Sequence, residues 1–456
     1  MSVDTVSLTG WGRTAPTTAV RFRPRSHEEA AAVVRGRGPR GVIGRGLGRS
    51  PGDAAQNAGG SVLDLSGLAR IGGVDAAAGV VRCDAGVSLE RLLRALLPLG
   101  WLPPVLPGTG RVTVGGAIGS DLPGLDHRRA GSFARHVSSL ELLTADGEVR
   151  TVLPGTALFD ATAGGLGLTG VILAATLRLR RVTTGLMSVS TERAGDLDDL
   201  LARFTAGGDR LPYASAWVDL MARGRATGRG ILTRGEHATP DMRPAHAGRT
   251  RLAKRSGAAP GWSFLPGLPP LPGGLLGPAA TAAALCNEVR YRGSARARTG
   301  ELRPVPAFFH ASDALPDVRP LYGRSGLVRY RFTVGYGQEE TLHRVVRRIT
   351  ERRSPAVRAV LQRFGAADPG LMSFAAPGWS LELDLPAALP GLARLLDGVD
   401  EEVAAAGGRV CLAKDSRMRP ETVDAMYPRL AEFRELRAGF DPAGAFRSDL
   451  SRRLGL

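Results

Sequence analysis

The chain has 456 residues, 43% of them hydrophobic and 23% charged, with 60 basic residues against 43 acidic ones. That length exceeds one ordinary core and the composition excludes a disordered or fibrous chain, so two domains, or one large domain with an inserted cap, are expected. The formal charge of +17 comes almost wholly from arginine, Lys254 and Lys414 being the lysines, and it is spread along the chain, which argues for a solvated surface and against a nucleic-acid partner.

Cys83, Cys286 and Cys411 stand too far apart for a disulfide framework or a metal clamp, so no metal site is expected. The start of the chain lacks a basic stretch followed by an apolar core, which leaves the cytoplasm as the expected compartment. Trp262 to Cys286 is apolar but interrupted by prolines at 266, 269, 270, 272 and 278. A regular spanning helix is excluded there, and the stretch reads as a loop over a substrate entrance or as a linker.

From Thr18 to Arg180 short β-branched runs alternate with amphipathic helices, an α+β pattern. Gly44 to Ser50 follows the strand-like Gly41 to Ile43. Its alternating glycines let successive N–H groups face one side and form an anion cradle suited to a diphosphate, a ligand-free tight turn being the alternative. Pro107-Gly108-Thr109 and Val114 to Gly119 form a second loop of small residues, and two such loops suit an extended dinucleotide. Ser139 to Val149, with Asp146-Gly147 at its turn, reads as a hairpin.

Gly165 to Gly170 spells GxGxxG, yet it follows the helical Ala157 to Thr162 and leads into a strand, the reverse of the Rossmann order. No P-loop motif occurs. Beyond about Arg181 longer helices are expected at Leu197 to Phe204, Glu340 to Arg352 and Leu389 to Ala406. Strands at Tyr213 to Leu220, Leu327 to Val334 and Leu381 to Leu385 predict an antiparallel sheet with helices on one face.

Several longer stretches carry a resemblance: Leu8 to Pro16, Arg45 to Ser50, Pro104 to Thr109, Val112 to Ile118, Ala130 to Phe133, Leu142 to Glu148, Ala413 to Arg417 and Phe446 to Asp449. In these the chain resembles the vanillyl-alcohol-oxidase-type flavoproteins, over nearly its whole length, with about 223 to 300 unassigned. The resemblance implies a two-domain fold with a PCMH-type FAD-binding domain, residues 6–195 completed by 407–456. An antiparallel-sheet substrate domain, 196–406, would lie between them.

FAD would be lined by Arg45, Gly46, Leu47, Gly48, Arg49, Ser50, Asn57, Pro107, Gly108, Thr109, Val112, Gly115, Gly116, Ala117, Ser120, Asp121, Ile172 and Cys411. Some relatives attach the flavin through a histidine in the first glycine loop, where this chain has Arg49, so binding is expected to be non-covalent. Lys414 matches the family lysine beside the flavin ring. There a compact ammonium offsets the negative charge that arrives with hydride.

The substrate side departs from the family pattern. Histidine, lysine and cysteine of the family are replaced by Pro123, Leu125 and Glu382, two glutamines by Arg329 and Arg331, and another lysine by Gln362. Trp217 and Tyr322 keep the aromatic walls, with Ser380 beside them. Glu382 is expected either to take the hydroxyl proton or to bind the substrate, the alternative being a plain ion pair with Arg329 or Arg331. His127 is a weaker candidate base.

The implied reaction is oxidation of a sugar hydroxyl to a carbonyl. The expected substrate is a soluble natural-product intermediate of secondary metabolism, aminoglycoside- or nucleoside-like. The alternative is the ribosyl C2 hydroxyl of a polyprenylphosphoryl ribose, the first half of an epimerisation completed by a partner NAD(P)H reductase.

Overall fold

The computed structural model describes residues 1–206, 211–242, 276–314, 322–352, 356 and 358–456. A four-stranded sheet runs Ser2–Leu8, Thr17–Arg23, Ser61–Asp64, Val42–Arg45, with the last three strands parallel. An antiparallel five-stranded sheet runs Ile71–Asp75, Val80–Asp84, Val171–Arg178, Val137–Leu143, Val149–Val152. The hairpin is present, with Gly147 at φ 84° in its turn. Between these two sheets pack Val42, Leu63, Leu143, Val171, Leu173 and Phe446, together with the alanine–valine face of helix His27–Arg35. The other face of the four-stranded sheet carries partly exposed ion pairs, Arg21 with Asp4 at 2.6 Å and Arg23 with Asp64 at 3.3 Å.

The third sheet has eight strands, in the order Ala297–Pro304, Leu186–Ala194, Gly230–His237, Tyr213–Val218, Ala359–Phe364, Gly378–Pro386, Leu327–Val334, Arg409–Val410. All its pairings are antiparallel. Helices Leu197–Ala206, Glu339–Glu351 and Leu392–Ala405 bury their apolar stripes against one face, as expected. Leu186–Ala194 already belongs to this sheet, so the change of sheet falls before the expected boundary at 195.

Two readings are corrected. Val114–Gly119 is a short helix, not a loop: Thr113 caps it, and the burial of Val114, Ala117 and Ile118 outweighs the poor helix propensity of three glycines. The apolar stretch from Trp262 lies outside the described residues up to 275, but from Leu276 to Gly293 the chain is helical. Among the described residues no helix is long and apolar enough to cross a membrane.

Candidate active site

Three loops converge where the sheets meet. A Cβ on Gly46 would collide with Thr113 Oγ1, so the first glycine loop lies directly on the second. A Cβ on Gly52 would overlap the Asp415 carbonyl, so the first loop also touches the segment carrying Lys414. Trp11 donates its backbone N–H to the Ser50 carbonyl at 2.8 Å, and its ring carries Arg49 at 5.2 Å and Arg329 at 4.4 Å. The indole thereby joins the glycine loop to the sheet.

The loops suit an extended anionic dinucleotide. The N–H groups of Gly46, Leu47, Gly48, Gly108 and Thr109 donate to no acceptor among the described residues. Gly108 has open space around its Cβ position, Gly116 is exposed, and Gly48 holds φ 63°, a conformation that favours glycine.

The side chains of most other expected cofactor residues are engaged within the protein. Arg45 donates to the carbonyls of Ala55 and Thr9 at 2.9 and 2.7 Å, and Thr109 Oγ1 donates to Asp313 at 2.6 Å. Asn57 is fully buried, donating to Gly41 and accepting from Arg452. Ser120 donates to the Gly116 carbonyl at 2.5 Å. Asp121 accepts from Ala134 N–H at 3.0 Å and Ser373 Oγ at 2.5 Å, and burial pushes its carboxyl up to about 7. Ala117 and Ile172 point into the core of the five-stranded sheet, Gly115 packs on Ala85, and Pro107 is buried. Val112 is half-buried beside Thr113. Cys411 is buried, its N–H donated to the Arg331 carbonyl at 2.9 Å, and burial raises its thiol to about 11.

The other half of the site is the open face of the eight-stranded sheet. Side chains two residues apart on a strand share a face, and paired residues sit side by side. One row therefore reads Trp217, Val360, Glu382, Arg331, and the next reads Arg358, Asp384, Arg329. Glu382, 5% exposed, touches Lys414 Nζ and Arg358 at 2.6 Å, with Arg331 at 3.5 Å and Arg329 at 3.8 Å. Both arginines of the ion-pair alternative are therefore within 4.0 Å, with Lys414 and Arg358 nearer. Arg329 instead grips Asp384 with two bonds of 2.6 and 2.7 Å. Arg331 donates to Gln362 at 2.5 Å and Ser380 at 3.0 Å, a third row on the same face.

Burial lowers the Lys414 ammonium well below its ordinary value, and the charges of Arg331, Arg329 and Arg358 act the same way. The Glu382 carboxylate beside it opposes this. Trp217 and Tyr322 line the same region, 6% and 8% exposed, and burial raises the Tyr322 hydroxyl. His127 is not an available base: Nδ1 accepts from Gly365 N–H at 3.1 Å and Nε2 donates to Asp368 at 2.9 Å, so both nitrogens are committed. Sequence reasoning missed Arg358, Asp384 and Arg290. The signal for the first two was present as period-two spacing from Gln362 and Glu382.

Residues 18–153 match the model of the FAD binding domain. The chain belongs to the vanillyl-alcohol-oxidase-type FAD-dependent oxidoreductases, with FAD as its cofactor and alcohols as the class of group it acts on. Its relatives include decaprenylphosphoryl-β-D-ribose oxidase of Mycolicibacterium smegmatis, 40% identical over 99% of this chain and 98% of that one. It is 52% identical, over 81% of its length, to all of an uncharacterized protein from the mprA 5′ region of Streptomyces coelicolor. Alditol oxidase of a Streptomyces species is 31% identical over 38% of the chain and 42% of its own.

Proposed function

We propose that this enzyme oxidises a secondary hydroxyl of a sugar or glycoside to a ketone. The observation that carries this reading is the Lys414–Glu382 contact, set where the three cradle loops meet the aromatic-walled sheet face. Bound FAD supplies the hydride acceptor. Glu382, set among Lys414, Arg358 and Arg331, takes the hydroxyl proton as hydride leaves the carbinol carbon. Lys414 holds positive charge at the end of the cradle, where negative charge arrives. Trp217 and Tyr322 flank the sugar and exclude water. Arg49, occupying the place of the family's attachment histidine and stacked on Trp11, supports non-covalent cofactor binding.

Within the glycoside class, a cationic aminoglycoside suits this arginine-rich face worst, and a soluble neutral or anionic glycoside suits it better. A second reading, the ribosyl C2 hydroxyl of a polyprenylphosphoryl ribose followed by a partner reductase, is favoured by the full-length similarity to the mycobacterial oxidase. Anaerobic addition of candidate sugars to the yellow holoenzyme tests the proposal: the true substrate bleaches the flavin, and a panel of pentosides and hexosides that leaves the colour intact rejects it.

A further inference from the structure

The substrate face carries more positive charge than the protein itself balances. Around it stand Arg290, Arg329, Arg331, Arg358 and Lys414, against Glu382 and Asp384. Arg329 is spent on Asp384, and Arg331 on Gln362 and Ser380. Lys414 is spent on Glu382.

Arg290 differs from these. It projects from helix Leu276–Gly293, three residues after the buried Asn287, which fixes that face of the helix by donating to Asp219 at 2.7 Å. Its guanidinium lies over the Trp217 ring at 4.5 Å and has no carboxylate within 4.0 Å among the described residues. Arg358 precedes by two residues Val360, the strand partner of Trp217, so it stands on the same face beside that ring's row. Arg358 NH1 lies against Glu382 but makes no aligned hydrogen bond there. Both arginines are only half-buried, and although Arg358 lies 2.6 Å from Glu382 and 3.7 Å from Asp384, five cations share those two carboxylates, a surplus of positive charge that suits a counter-anion. Planar guanidiniums bind oxyanions in two-pronged fashion, and Trp217 holds one of them flat.

The geometry points to an oxyanion subsite formed by Arg290 and Arg358 at the Trp217 end of the sheet face, receiving a phosphate ester or carboxylate borne by the sugar. This rests on the oxidation of a glycoside proposed above. The anion seats the substrate from the side opposite Lys414, leaving its hydroxyl toward Glu382.

The test measures thermal unfolding of FAD-loaded wild type and of Arg290→Gln, Arg358→Gln and Arg91→Gln, the last an exposed arginine on helix Leu89–Leu96 that loses the same charge elsewhere. Inorganic phosphate is expected to raise the unfolding temperature saturably in wild type and Arg91→Gln. Its apparent affinity should fall about tenfold in Arg290→Gln and Arg358→Gln. Ribose 5-phosphate and glucuronate then distinguish phosphate from carboxylate, the proper one binding at least tenfold more tightly than ribose. Phosphate protection that is equal in all four proteins, or lost equally in Arg91→Gln, overturns the subsite. Flavin bleaching is read separately: saturable anion binding with no bleaching by any sugar leaves the subsite standing and removes the oxidation reading.

Discussion

The cofactor cradle and the substrate face meet at Lys414, yet they are built from different material. The cradle is made of backbone, with glycines at 46, 48 and 108 and the amides around them, while its longer side chains turn away to brace the fold. The substrate face is made of side chains on alternate strand positions, charged and aromatic ones with Val360, Gln362 and Ser380 among them. A backbone site is preserved as long as its loops keep their path. A strand face is rewritten by single substitutions that leave the sheet intact, which is how one flavin scaffold serves different alcohols.

Substitutions should separate the two regions. The largest effect is expected for Lys414→Met, slowing anaerobic flavin reduction about 10³-fold with FAD still bound; a loss of colour instead would place Lys414 in the cradle. Glu382→Gln should slow the same step about 10²-fold. A normal rate in that variant would reduce Glu382 to an ion-pair partner of Lys414 and Arg358.

Gly46→Ala should weaken FAD binding roughly tenfold with little change in reduction rate once FAD is saturating. Its Cβ displaces Thr113, whose Oγ1 accepts from Gly116 N–H at 3.2 Å, and losing such a cap costs about 1 kcal/mol. Equilibrium titration of apoprotein with FAD checks this.

The smallest effect concerns Asp126, outside both regions. Its oxygens make no hydrogen bond, and burial pushes its carboxyl from 3.8 to about 6. A raised carboxyl stabilises the fold most below the unfolded value and loses that contribution as pH climbs through the folded one. Asp126→Asn should therefore flatten the fall in unfolding temperature between about pH 4 and pH 6. An unchanged slope would assign the fall to other carboxyls.

The cradle was the more legible region because its chemistry is local: Gly44 to Gly48 and Pro107 to Thr109 announce exposed amides wherever they fold. The side-chain roles of Thr109, Asn57 and Asp121 were not legible, because their partners Asp313, Arg452 and Ser373 lie 204, 395 and 252 residues away. Helix Val114–Gly119 was hidden for a related reason, its stability coming from a core formed elsewhere. On the substrate face Glu382, Arg329 and Arg331 were identified as site residues. Strand register decided their partners, and register put Arg358 and Asp384 beside them. Arg290 reaches the face from a helix that composition alone read as a loop or linker.

Phe446 bridges in parallel to Val42, Asp449 accepts from Ala58 N–H, and Arg453 binds both Asp53 and Asp415. The residues that lock the first glycine loop are thus synthesised some 400 positions after it. Flavin loading on the ribosome is accordingly disfavoured: the nascent chain must hold its cradle open until residues 446–453 emerge. A chain stopped before them should accumulate as colourless, protease-sensitive material even with FAD in excess.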